Sequence, residues 1–124
     1  DQAKFKIVSY AMHAQNPTWF TTAPVEAMTK SLEKANLKIE DIDLFEINEA
    51  FAVVTMAAME EHKIPHDKVN IFGGGVSLGH PIGTSGTRIV VTLMNAMEKK
   101  GAKYGMAAIC IGGGEALSMI IERI

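Results

Sequence analysis

Met106-Ala107-Ala108-Ile109-Cys110-Ile111, then Gly112-Gly113-Gly114, then Ala116 to Glu122 is the stretch on which the fold turns. Six consecutive residues with almost no polar side-chain atoms form the pattern of a central strand covered on both faces, too short to be a buried helix. Three glycines break the run, and the apolar positions of Ala116 to Glu122 fold back as an antiparallel partner. Immediately upstream, Ile89, Leu93 and Met97 share one helix face with Val90 and Met94, and Lys99, Lys100 and Gly101 supply the charge and flexibility of a helix end. Further upstream, Val69 to Phe72 reads as a short strand leading into Gly73-Gly74-Gly75. Before it, Glu49 to about His62 is rich in Ala, Met and Glu and reads as a helix ended by Pro65. Asp41 to Ile47 alternates and then turns apolar, as a strand with a buried end does. Pro24 opens a helix in which Val25, Met28, Leu32 and Ala35 recur at helical spacing, with Asn36 as its terminator. Lys4 to Ala11 is the first strand, followed by a loop marked by Asn16-Pro17. The expected order is βαβαβαββ, a layered α/β domain on a mostly parallel five-stranded sheet with one antiparallel strand.

Length and composition agree with one domain over residues 1–124: 48% of the residues are apolar and 21% charged. The formal charge of -2 and a pI near 6.1, with both signs dispersed, supply no basic face for nucleic acid or an anionic membrane. No apolar run approaches the roughly 20 residues of a membrane-spanning helix. A single cysteine cannot form an internal disulfide and suits a reducing compartment, so the cytoplasm or an organelle matrix is expected. The polar start at Asp1-Gln2-Ala3-Lys4 reads as a domain cut from a longer chain.

Asn48, His80 and Cys110 each stand where an apolar element gives way to a turn or helix start, where open α/β sheets gather their sites. Taken singly, each has a plainer reading: a helix N-cap, a loop residue and an inert buried thiol. Glycines beside them let backbone approach a ligand closely, and they also mark ordinary turns. His62 and His66 have helical i,i+4 spacing, but Pro65 lies between them and no further ligand accompanies them, so no metal site is expected. Gly79, Gly83 and Gly86 lead to Thr87-Arg88 rather than Gly-Lys-Ser/Thr, which argues against a nucleotide phosphate loop. The eight methionines fall on helix faces and strands and read as core. Trp19 and Phe20 would line a substrate wall or make an ordinary apolar contact.

Three motifs together, Asn48-Glu49-Ala50-Phe51-Ala52, Gly73 through His80-Pro81-Ile82-Gly83, and Cys110-Ile111-Gly112-Gly113-Gly114, resemble the C-terminal signatures of the thiolase family. Their separations, 32 residues from Asn48 to His80 and 30 from His80 to Cys110, agree with that family's layout. The resemblance covers essentially the whole chain but only the later part of a complete thiolase. It implies acyl transfer between coenzyme A thioesters through an acyl-cysteine. His80 then raises thiolate character on the nucleophilic cysteine and donates to a thioester oxygen. Asn48 holds a water in the same oxyanion hole, and the Gly112 N–H serves a second one. Cys110 is the acid/base thiol, taking a proton from the α-carbon of acetyl-CoA or from the thiol of CoA.

The resemblance also implies CoA thioesters as substrates, no prosthetic group, an N-terminal thiolase domain as partner and a homo-oligomer, with fatty acid metabolism as the setting. Acyl chain length depends on loops outside this sequence, and short-chain, biosynthetic use is the reading favoured. Cys110 is the only cysteine and stands in the acid/base motif, so the nucleophile and the CoA-covering loop region lie outside this sequence. The chain alone is therefore expected to be inactive. Glu115-Ala116-Leu117 departs from the pattern, since many members carry another glycine there. A decarboxylating ketoacyl synthase would carry a second histidine where this chain has Asn48. A non-catalytic acyl-CoA or lipid-binding module is the competing reading.

Overall fold

The computed structural model describes residues 2–124. Strand β1 (Phe5–Ala14) leads through a 3-10 segment, Pro17–Thr22, into helix α1 (Ala23–Ala35). Strand β2 (Leu44–Ile47), helix α2 (Ala52–His62), a four-residue helix α3 (Gly75–Leu78) and helix α4 (Ser85–Lys100) follow, and strands β3 (Tyr104–Ile111) and β4 (Glu115–Arg123) close the chain. Local chemistry sets several of these limits. Asn16 caps the 3-10 segment by accepting from the Thr18 N–H at 3.0 Å, and Pro24 occupies the first turn of α1. Asn36 ends α1, Lys63 ends α2 and Gly101 ends α4, all three with left-handed backbone.

The sheet has four strands in the order β1-β4-β3-β2. Only β2 and β3 pair in parallel, with Leu44 opposite Gly105 and Ile47 opposite Ala108. The β3–β4 hairpin is antiparallel, as its glycines foretold, but β4 also pairs antiparallel with β1. Three strands thus share one direction, and β4 is inserted among them, so the sheet is mostly antiparallel by pairing. That corrects the expected five-stranded, mostly parallel sheet.

The fifth strand is missing for a local reason. Val69 makes one isolated parallel bridge to Phe45, and Asn70 then turns to φ 48°, which an extended chain cannot continue through. The Asn70 side chain does the pairing instead: its Oδ1 accepts from the Ile47 N–H at 2.9 Å and its Nδ2 donates to the Ile47 carbonyl at 2.9 Å. Two further expectations are corrected, at the starts of α2 and β2. The helix begins at Ala52 rather than Glu49, with Phe51 as its N-cap residue, so Asn48 is not a cap. Likewise only Leu44–Ile47 of the expected Asp41 to Ile47 strand is extended, because Ile39–Asp41 closes a 3-10 turn.

Two apolar layers pack on the sheet. Met28 and Leu32 of α1 and Ala58 of α2 meet Phe45, Ile47, Met106 and Ile120 on one face. Ile89, Leu93 and Met97 of α4 meet Leu44, Ala107 and Ile121 on the other. Each buried Leu, Ile, Phe or Met among them contributes about 1.5–3 kcal/mol. Helix α4 packs mainly on β2 and β3, and Tyr10 and Met12 of β1 stand about two-thirds exposed on that face (66% and 64%), beside Leu117 of β4. Among the described residues no helix is long and apolar enough to cross a membrane.

Candidate functional site

The motif residues collect at one end of the sheet. Asn48 follows β2, Cys110 is the penultimate residue of β3 and Gly112 lies just beyond it, so all three sit at the C-terminal ends of the two parallel strands. The Asn48 N–H donates to the Ala108 carbonyl at 2.9 Å and so extends that ladder by one bond. The connection from β2 to β3 runs through α2, α3 and α4, and Leu78 and Arg88 lie beside Asn48, so the start of α4 is at this end. His80 stands in the loop between Leu78 and Ser85.

Their side chains come from different layers. Strand alternation places Cys110 with Met106 and Ala108 toward α1, and its cross-strand partner Ala116 packs on Ala23 and Ala27. Leu44, Glu46 and Asn48 fall on the α4 side. Among the described residues no hydrogen bond joins Asn48, His80 and Cys110 to one another.

The Cys110 thiol is free and buried, and that burial pushes its pKa up from the ordinary value of 9.0, against a smaller lowering by a backbone hydrogen bond. It therefore rests as a neutral thiol, suited to giving a proton rather than to attacking as a thiolate.

His80 is half-buried and anchored through its Nδ1, 2.6 Å from the Ser85 hydroxyl. Ser85 Oγ also lies 3.1 Å from the Pro81 carbonyl. With its proton on that carbonyl, the His80 tautomer that fits is the one whose Nδ1 donates to Ser85 and whose Nε2 keeps a lone pair for a base or acceptor role. From α4, Arg88 Nη1 donates to the Gly79 carbonyl at 2.8 Å and pins the residue before His80.

Glu49 and Asn70 are site residues that the sequence reading passed over as functional groups. The Glu49 carboxylate accepts from Asn70 Nδ2 at 3.0 Å and from the Val76 N–H at 2.9 Å, tying the first motif to the second. A Cβ on Gly74 would lie 2.5 Å from the Glu49 carboxyl carbon, and one on Gly75 would lie 2.6 Å from the Glu49 carbonyl oxygen. The glycine run is thus a seat for Glu49, and the acidic residue inside the first motif was the available signal.

The last glycines divide similarly. Gly113 and Gly114 have φ of 97° and 93°, and a Cβ on Gly114 would strike the Gln15 carbonyl oxygen. Gly112 has no such constraint, since a Cβ there would meet nothing within 4 Å. Gly114→Ala is expected to destabilise the protein by about 2–3 kcal/mol through backbone strain and the clash. Gly112→Ala should cost far less, and equal urea midpoints for the two variants would refute this assignment.

Phe20 packs edge-to-face on Phe51, ring centroids 6.3 Å apart, while Trp19 stands exposed. His62 Nε2 lies 3.0 Å from the Val25 carbonyl, and among the described residues no group of three or more His, Cys, Asp or Glu is placed to hold a metal ion.

An α/β domain whose three glycine-flanked motifs meet at the ends of its parallel strands matches the description of a thiolase C-terminal domain, and the family model of that name fits residues 2–123. The chain belongs to the thiolase family. It is 50% identical over 119 residues to a probable acetyl-CoA acetyltransferase of Dictyostelium discoideum, a match covering 96% of this chain and 29% of the relative. It is 45% identical over 118 residues to the cytosolic acetyl-CoA acetyltransferase of Mus musculus, covering 95% of this chain and 30% of that protein. Among solved structures, the Bacillus anthracis acetyl-CoA acetyltransferase superposes with a TM-score of 0.96 at 41% identity, over 99% of this chain and 31% of that one. Human mitochondrial 3-ketoacyl-CoA thiolase superposes with a TM-score of 0.94 at 38% identity, over 97% of this chain and 30% of that one. The chain thus spans about 30% of the length of the relatives it matches.

Proposed function

We propose that this domain is the C-terminal part of an enzyme that transfers acyl groups between CoA thioesters, condensing acetyl-CoA or cleaving a 3-ketoacyl-CoA. The observation that supports the reading is that Asn48, Cys110 and Gly112 stand at the C-terminal ends of the parallel strands β2 and β3, with His80 in the loop that leads into α4. Cys110 acts as the acid/base thiol, which its neutral resting state suits. His80 offers Nε2 toward the nucleophilic cysteine and the thioester oxygen, with Ser85 holding the tautomer. Asn48 serves the oxyanion hole through a water, and Gly112, bare of neighbours, presents its N–H to the acyl-cysteine carbonyl. CoA thioesters are the substrates and no prosthetic group takes part.

The only cysteine is Cys110, so the nucleophile belongs to the rest of a longer protein, with the cytoplasm as its compartment. The uncovered apolar face of β1 and β4 is the surface for that missing domain, and homo-oligomer formation would involve the assembled protein. Purified as 124 residues, the chain is expected to show no cleavage of acetoacetyl-CoA above the uncatalysed rate. Measurable cleavage would overturn the division of labour. A full-length protein without a cysteine in an upstream nucleophile motif would favour the acyl-CoA or lipid-binding reading instead.

A further inference from the structure

Two buried polar side chains beside this site have unmet hydrogen-bonding groups. Glu46 is the third residue of β2 and Asn48 lies two positions on, so the pleat sends both toward α4. Glu46 is 3% exposed and Asn48 2%. Glu46 Oε1 and both amide atoms of Asn48 have no partner within the chain. Buried polar atoms are nearly always satisfied, so three orphans in one place call for partners from outside the chain, ordered water first among them.

Both residues line one small cavity, closed by Gly74, Gly75, Arg88 and Thr92. Its volume of about 10 Å³ matches the room needed for the centre of a single water, and its walls supply the polar groups a water requires. We propose that this cavity holds one internal water and that Glu46, acting through it, is a positioning residue that sets which end of the Asn48 amide serves the oxyanion hole. The inference rests on the role given to Asn48 above.

The orientation follows from counting donors. Burial, and next the neighbouring Glu49, push the Glu46 pKa up to about 8 against the opposing Arg88 charge, so at neutral pH the carboxyl is an O–H donor. The charged groups that face it are Glu49 from the loop after β2 and Arg88 from α4. The water accepts from that O–H and donates to Asn48 Oδ1. Asn48 Nδ2 is then the end left to donate to the oxyanion-site water. An apolar residue at 46 would remove the bias and let the amide sample both flips.

The test uses the full-length protein containing this domain and acetoacetyl-CoA as substrate. Glu46→Leu is expected to lower kcat by about 10- to 30-fold while KM stays within about 2-fold, because positioning is lost and substrate binding is not. Glu46→Gln, whose amide N–H still donates to the water, is expected to keep kcat within about 3-fold. Wild-type kcat in Glu46→Leu, or equal losses in both variants, overturns the proposal. If Glu46→Leu does not fold, infrared spectroscopy of the wild type decides. A neutral carboxylic-acid carbonyl band at pH 7 that Glu46→Gln removes is expected, and its absence overturns the proposal. Failure of the thiolase reading looks different: the wild type itself would lack thiolysis, and the infrared band would still decide the state of Glu46.

Discussion

Cys110→Ser in the full-length protein is expected to slow acetoacetyl-CoA cleavage by about 10³- to 10⁴-fold while leaving acetylation of the upstream nucleophile by acetyl-CoA intact. The two measurements separate because they use different groups. Cleavage of the carbon–carbon bond needs a proton donor for the departing acetyl-CoA carbanion, and the buried, neutral Cys110 thiol is that donor in the proposed mechanism. Transfer of an acetyl group from one thiol to another requires no proton at carbon, and CoA can leave as a thiolate that solvent protonates, so His80 and the oxyanion donors suffice. Serine preserves shape within one atom but is a far weaker acid. Labelled acetyl-CoA and denaturing electrophoresis would follow acetylation, and loss of absorbance of the acetoacetyl-CoA enolate would follow cleavage. Loss of acetylation together with cleavage would make Cys110 a nucleophile, and retention of both would make it a packing residue.

The second large effect is on stability. Glu46 has a pKa of about 8 in the folded chain against 4.5 for the free side chain, with burial the main cause, Glu49 the next and Arg88 opposing. Below the lower value the carboxyl is neutral in both states and pH changes nothing. Between the two, the unfolded chain is ionised at Glu46 while the folded chain keeps its proton, so folding takes up a proton and stability falls as pH rises. Above about pH 8 the folded state is ionised too, and the full cost remains. The stability of wild type relative to Glu46→Gln is therefore expected to fall by about 2–5 kcal/mol between pH 5 and pH 8, read from urea denaturation at each pH. Because the other titrating groups are common to both proteins, the difference isolates Glu46. Parallel pH profiles for the two proteins would show that Glu46 is not held neutral.

These two effects differ in how visible they are from the sequence. Cys110 was legible because its neighbours are: an apolar strand on one side, three glycines on the other, and a motif with a recognisable spacing to His80 and Asn48. Glu46 was read only as one polar position in an alternating strand. Nothing within a few residues of Glu46 shows that α4, some 40 residues later, closes over it. Asn70 was hidden for a related reason. Val69 to Phe72 has the composition of a strand, and one residue in left-handed backbone, with its amide bonded to Ile47, replaces the ladder that composition suggests.

Alone, the sequence determined what is set by chemistry reaching a few residues along the chain. Pro24 and Asn36 bracket α1, Gly101 ends α4, the glycines after Ile111 turn β3 back into β4, and the three motifs identify the family. Only the tertiary structure decided which strands become neighbours. Strand β4 carries small or apolar residues toward both layers: Ala116 and Ile120 toward α1, Leu117 and Ile121 toward α4. It can therefore occupy the interior of the sheet, and β1, with exposed Tyr10 and Met12, takes the edge. That choice rests on burying apolar surface between residues more than a hundred positions apart, from Phe5 to Arg123. Local propensity has no term for such distant pairing, and the same long-range packing brings Glu46 and Asn48 to one cavity under α4.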